Sequence, residues 1–371
     1  MSISLCGRRD VLELASAVLF FYGEGSGERW EFFNPTEKGI KRGEDMRNLV
    51  LVALLAVGIG IHADASADGL MGNGKSMGKR MKFAEIYEPS GIVQLADGRV
   101  FLIEDEQTNP FSLCHLEERD GQPALGVPQS CTFSGVADDL EGLTHGPNGW
   151  LYAITSHSPA GSGKASRERG KLLRFRVSGE GMIEDYQEYG GLLAVLLPVL
   201  KALDPTIATI NIEGLSSDRD RKKLYIGLRE PVVAGASLIL SLENPEGLFD
   251  RGELPRITQE VIRLHLQGGG IRAMAYVERL DGYLIANEIT LDEGKPRACL
   301  WLWDGNALHA ARRLDFPGSG KLKNIEGISP VQVQGRPLLL LVCDDGKRQE
   351  GDGAHYRFVE YDQLIESEPE R

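Results

Sequence analysis

Five short segments of this chain carry a polar residue at one and the same position. They are Pro89-Ser90-Gly91-Ile92, Leu140-Glu141-Gly142-Leu143, Ile212-Glu213-Gly214-Leu215, Ile271-Arg272-Ala273-Met274 and Ile325-Glu326-Gly327-Ile328. If the segments are equivalent in the fold, Ser90, Glu141, Glu213, Arg272 and Glu326 converge. Three carboxylates in one narrow space repel, so they require a cation, or one of them keeps its proton. Two arrangements meet that requirement. In one, Ca²⁺ or another divalent cation is bound by Glu141, Glu213 and Glu326, with Asp139 or backbone carbonyls completing the shell. In the other, Arg272 supplies the positive charge and the ring is an ion-paired network that fixes register.

A second polar set follows the next apolar run of each unit: Glu104-Asp105-Glu106, Ser156-His157-Ser158, Arg229-Glu230, Asn287-Glu288 and Asp344-Asp345-Gly346. Aligning the units gathers these residues at one end of the same space as a polar cup. His157 carries the one imidazole of the set and is the candidate catalytic group for proton transfer; a loop His without a role is the plain alternative. Arg229 and Arg272 suit the anionic group of a ligand, and equally suit neutralising nearby Glu residues. Glu288 and Asp345 complete the candidate ligand-binding residues. Asp344-Asp345 reads either as a pair of cation ligands or as turn formers before Gly346. Gly161-Ser162-Gly163-Lys164 lacks P-loop spacing and a following helix. No Ser/His/Asp triad, catalytic Cys or Cys/His metal spacing emerges.

The elements that must position these residues are strands. Each of the five segments is followed by a polar turn and a β-rich run: 98–104, 149–154, 223–228, 282–286 and 337–342. A third strand follows most of them, as at 171–177, 237–242 and 299–303, and a more polar fourth precedes the next segment, as at 260–266. Four antiparallel strands repeated radially predict an all-β fold, a β-propeller. The fifth unit lacks a fourth strand, while residues 80–87 precede the first unit with no blade of their own. Placing that N-terminal strand on the last blade closes the ring and removes two exposed edges. Five blades are therefore expected, six being the alternative. Residues 191–203 are apolar and read as a short helical insertion on the rim, or as a membrane- or partner-touching helix.

The chain has 371 residues, with 41 Lys+Arg against 54 Asp+Glu for a net charge of −13. Nothing there neutralises a phosphate backbone, so no nucleic-acid partner is expected. Met46-Arg47-Asn48, the apolar run 49–61 and Ala65-Ser66-Ala67 have the form of a Sec-type signal peptide. We expect translation to start at Met46, with 1–45 an upstream extension outside the protein proper. On this reading 46–67 is removed and 68–371 is a single propeller domain, periplasmic or secreted, with no stable membrane span in the mature chain. Cys114 and Cys131 flank a turn at Asp120-Gly121 and could meet across two strands; Cys299 and Cys343 lie in apolar runs.

Asp139-Leu140-Glu141-Gly142-Leu143, Tyr152 to Ser158, Asn211-Ile212-Glu213-Gly214-Leu215, Gly270-Ile271-Arg272 and Cys343-Asp344-Asp345-Gly346 resemble a family of exported bacterial propellers known only as a domain of unknown function, over roughly 88–361. The Glu-Gly-Leu element is also, more distantly, similar to the propeller family named for esterase-like activity of phytase. That similarity implies Ca²⁺ and phosphoester chemistry, carried by Glu141, Glu213 and Glu326. Three functions fit: an exported propeller binding a small ligand or divalent cation in its axial cup; a metal-assisted hydrolase of phosphoesters or esters, with His157 as acid/base; and a scaffold that binds a protein through its rim. N-terminal sequencing of the native protein should give Asp68 as the first residue, and recovery of peptides from residues 1–45 would contradict the Met46 start.

Overall fold

The computed structural model describes residues 79–105, 109–161, 166–290 and 294–367, so the signal segment and the proposed start lie outside the described residues. The described chain is a five-bladed β-propeller. Blade one is β2 (Pro89–Gln94), β3 (Val100–Glu104), β4 (Phe111–Cys114) and β7 (Gln129–Ser130), with a hairpin of β5 (Leu116–Arg119) and β6 (Gln122–Leu125) inserted before the last strand. Blade two is β8 (Leu140–His145), β9 (Leu151–Thr155), β10 (Leu172–Val177) and β11 (Ile183–Tyr189). Blade three is β12 (Asn211–Ser217), β13 (Leu224–Glu230), β14 (Ser237–Leu242) and β15 (Ile262–Leu264). Blade four is β16 (Ile271–Val277), β17 (Gly282–Thr290), β18 (Pro296–Trp303) and β19 (Arg312–Asp315). Blade five is β20 (Ile325–Val333), β21 (Arg336–Cys343) and β22 (His355–Val359), completed by β1 (Met81–Lys82) from the start of the described chain.

The expected closure is present, in a shorter form. Only Met81 and Lys82 pair with β22, opposite Tyr356 and His355. The following residues leave strand geometry yet stay locked: Phe83 donates to the Ala354 carbonyl, Ala354 donates to the Ile86 carbonyl, and both apolar side chains are buried. A second closure was not foreseen. The C-terminal strand β23 (Ile365–Ser367) pairs with β19 and gives blade four a fifth strand.

Adjacent blades bury a separate apolar core between each pair of sheets, which explains the unbroken apolar runs. In β21, Leu338, Leu340 and Val342 face blade one, while Leu339, Leu341 and Cys343 face blade four. A strand covered on both faces has no polar alternation to display. The same alternation separates Cys114 from Cys131. Cys114 joins the core between blades five and one, and Cys131 the core between blades one and two. The two thiols sit on opposite faces of one sheet and are free, as are Cys299 and Cys343.

The rim insertion is α1 (Leu192–Leu203). Its buried residues Leu192, Leu196, Val199 and Leu200 follow helical spacing and pack on the core between blades two and three. Its remaining leucines at 193, 197 and 203 rest on the same core, so the helix spends its apolar surface within the molecule. A second helix, α2 (Pro245–Arg251), opens on Pro245 and ends at the left-handed Gly252. No helix among the described residues is long and apolar enough to cross a membrane. Truncating the closure at Phe83→Ala should cost about 3–5 kcal/mol of unfolding free energy, the range for a buried aromatic. A loss below about 1 kcal/mol in denaturant titration would show that this segment does not seal the ring.

Candidate functional site

The five inner strands touch in the order β2, β8, β12, β16, β20, and β20 returns to β2. Each breaks its ladder at the equivalent point, and β12 also breaks one residue earlier, between Asn211 and Ile212. Leu140 pairs with Thr155 and Gly142 with Ile154, which leaves Glu141 as an extra, unpaired residue. The same break isolates Ser90, Glu213, Arg272 and Glu326. A β-bulge re-aims the side chain it carries. Here five bulges in phase direct five polar residues to one axis, and all five are buried. The residue after each bulge is small because the next blade leaves no room. A Cβ on Gly142 would lie 2.6 Å from the Leu215 Cβ and 3.1 Å from its backbone nitrogen.

Carboxylate oxygens of Glu141, Glu213 and Glu326 all come within 4.8 Å of one another. They border a cavity of about 10 Å³, room for roughly one water or ion. A second cluster with the same spacing joins Glu141 to Asp139 and to the exposed Asp105. Glu141 is therefore the shared corner of two carboxylate triads.

The guanidiniums are distributed unevenly over these groups. Arg272 pairs with Glu326, lies 3.5 Å from Glu213 and reaches Glu288 at 3.6 Å. Arg229 donates to Glu213 Oε1 at 2.5 Å. Arg169 pairs with Asp139, whose other oxygen-bound partners are the Ser156 and Ser158 hydroxyls. Among the described residues, Glu141 has neither an ion-pair partner nor a hydrogen-bond donor, although it is only 8% exposed. Arg272 thus neutralises one side of the hub, while Glu141 is left without a counterion.

Protonation follows from that arrangement. Burial, then the charges of Glu213 and Glu326, hold the Glu141 carboxyl well above the usual carboxylate range. Burial and then Glu213 raise Glu326 as well, outweighing the pull of Arg272. Glu213 is raised by burial against the opposing fields of Arg272 and Arg229. Asp105 keeps an edge open to solvent, yet the protein packed around its carboxyl, and then the charge of Asp139, push it up to about 8. Each of these groups therefore holds its proton to higher pH in the cation-free folded hub than in the unfolded chain, where carboxyls ionise above about pH 4. Stability without a cation therefore falls as pH rises from about 4 through 8.

The structure gathers most of the residues expected from sequence. Arg229, Arg272 and Glu288 also line an open pocket of about 500 Å³ beside the hub, with the backbone of Gly268, Gly269 and Gly270 as its floor. A Cβ on Gly270 would fall 1.9 Å from the Arg229 carbonyl oxygen, so only glycine lets the strands meet there. Asp345 stands apart: its carboxylate accepts from the His355 backbone N–H at 2.9 Å and from His355 Nδ1, and lies 3.9 Å from Arg80, all within the ring closure. Its neighbour Asp344 is half-buried within the fields of Arg272 and Arg229, and burial raises its pKa. His157 is buried rather than presented in the cup. Its Nδ1–H donates to the Thr155 carbonyl at 2.8 Å, Nε2 has no partner, and burial lowers its pKa to about 4. Its φ of 57° is left-handed, so the backbone turns there and folds the ring back on its own strand. Asp139, expected as a further cation ligand, and Asp105, expected in the polar cup, both join the hub. Arg169 is the additional residue; it lies in an irregular loop and carries no sequence signal.

Comparison with known proteins adds little chemistry. Residues 208–350 match the model of a family described as "Protein of unknown function (DUF3616)", a stretch from just before β12 to just beyond β21. No curated protein matches the chain. Similar solved structures include a GH43 β-1,3-galactosidase with galactodeoxynojirimycin, at 9% identity and TM-score 0.45, covering 78% of this chain and 99% of that one. The major allergen Mala s 1 of Malassezia sympodialis is similar at 9% identity and TM-score 0.45, covering 77% and 96%. The soluble aldose sugar dehydrogenase of Escherichia coli, in its apo-form, is similar at 12% identity and TM-score 0.41, covering 76% and 99%.

Arg272→Met should strip the counterion from Glu326 and cost about 3–5 kcal/mol, as for other buried pairs broken on one side. The loss should be larger at pH 8 than at pH 5.5, where the glutamates take up protons. Equal losses at both pH values would show that Arg272 acts through packing alone.

Proposed function

We propose that the protein is an exported propeller whose axial cup binds a hard divalent cation, Ca²⁺ being the natural first choice, and through it a small anionic ligand. The observation that carries this reading is Glu141. It is a carboxylate buried to nine-tenths, without a counterion, at the shared corner of two acidic triads. A buried charge without a partner costs several kcal/mol, so such a group either keeps a proton or meets a cation. Asp105 opens one triad to solvent and gives an entering ion a first ligand. Asp139 and Glu141 supply the next oxygens, and an all-oxygen set selects Ca²⁺, Mg²⁺ or Mn²⁺ over softer metals. The resemblance of the Glu-Gly-Leu element to the esterase-like phytase propellers, read from sequence alone, implies the same ion.

Arg229 and Glu288 line the adjoining open pocket, where Arg229 is 40% exposed at its side chain and can meet a ligand oxyanion. We assign binding rather than hydrolysis to the cup because His157 is held neutral on the Thr155 carbonyl and does not face it. Export through the segment beginning at Met46 belongs to the same reading, since millimolar Ca²⁺ outside the cell suits a modest site.

Calorimetry on protein freed of metal by a chelating resin should show one Ca²⁺ per chain. Affinity should rise from pH 6 to pH 8, because each carboxylate must release its proton on binding. Glu141→Gln should weaken the ion at least tenfold, equivalent to about 1.4 kcal/mol, while leaving the folded chain intact. No heat with Ca²⁺, Mg²⁺ or Mn²⁺, together with no metal in freshly purified protein, would overturn the proposal. Turnover of a phosphoester or carboxyl ester lost in Glu141→Gln would replace binding by metal-assisted hydrolysis.

A further inference from the structure

The inner strands carry a second, different chemistry at their far ends. Beyond the bulges, Ile92, Leu143, Leu215, Met274 and Ile328 close the axis as one buried apolar layer. On the other side of Leu143 and Ile328 lies a funnel of about 850 Å³. We propose that this funnel is a binding site for a small molecule bearing a carboxylate or phosphate group, held by Arg221 and Arg279.

The two guanidiniums differ from the others on this face. Arg219 is already committed, paired with Asp281 and bonded to the Tyr276 hydroxyl at 2.9 Å. Asp218 is likewise occupied, accepting the backbone N–H groups of Lys222 and Lys223. Arg221 and Arg279 have no carboxylate within ion-pair distance among the described residues. Arg221 makes only a long contact, 3.5 Å, to the Gly146 carbonyl, and Arg279 lies over the Tyr361 ring at 5.4 Å. Glu278 and Asp218 line the same wall, and their charges oppose an anion there.

His145 supports the assignment. It lines the funnel beside Arg221, and its pKa is down to about 4, first through burial and then through the Arg221 charge. The neutral imidazole adds no second repulsive cation, and it offers no compensation for the guanidinium. An oxyanion bridging Arg221 and Arg279 would supply that compensation, by charge-assisted hydrogen bonds of the kind planar guanidiniums form. The funnel is within the size range of small-molecule sites and has aromatic walls in Tyr276 and Tyr361. On a chain of net charge −13, an arginine-lined concavity runs against the overall field.

The test uses the full folded chain in metal-free, low-salt buffer, with inorganic phosphate and citrate as separate calorimetric probes. At least one should bind with millimolar or better affinity, and the double variant Arg221→Ala/Arg279→Ala should weaken it at least tenfold. Arg219→Ala should leave binding within twofold. Both altered arginines are exposed, and an unchanged thermal midpoint confirms that folding is unaffected. Glu141→Gln separates this site from the carboxylate hub: it should weaken the cation at least tenfold and leave the anion in place. Binding of neither probe, or equal binding by the wild type and the double variant, would overturn the proposal.

Discussion

Everything in this molecule turns on repulsion between acids that the backbone forces together. Five bulges in phase leave Ser90, Glu141, Glu213, Arg272 and Glu326 no direction but inward. The ring cannot relax by turning them out, because the residue following each bulge is pressed against the next blade, as Gly142 is against Leu215. Charge must therefore be balanced where it stands. Arg272 and Arg229 do this for Glu213 and Glu326. For Glu141 nothing in the described chain does, and that asymmetry turns a structural ring into a candidate binding site.

Much of this was legible in the sequence because propellers write their geometry repetitively. The recurring Glu-Gly-aliphatic segments gave the inner strands, and the missing fourth strand of the last unit gave the closure. The helix at 192–203 followed from its apolar run, and it packs inward through Leu192, Leu196 and Leu200. What the repeats could not give was anything outside their phase. The β5–β6 hairpin, the strand at 365–367 and Arg169 lie in insertions or ends, where no internal copy exists for comparison. The α2 helix was not expected, because seven residues carry little periodicity.

The side chains show where alignment stops being informative. Residues that follow the second strand of each blade do reach the same end of the axis, yet their final direction depends on one dihedral or one neighbour. Asp344 feels the charges of Arg272 and Arg229 while Asp345 bonds to His355, although the two are adjacent. A left-handed backbone at His157 folds its ring onto Thr155. The choice between a metal and an arginine network was likewise open in sequence, since both need the same residues. The distances divide it: Arg272 serves one side of the hub and leaves the other unserved.

The apolar layer of Ile92, Leu143, Leu215, Met274 and Ile328 has a consequence for how the disc can be used. It insulates an acidic vestibule from a basic one along a single axis. The two recesses are thereby closed off from each other along the axis. If the sites proposed above are occupied, whatever enters one face must leave by it, and occupants of opposite sign sit back to back without meeting.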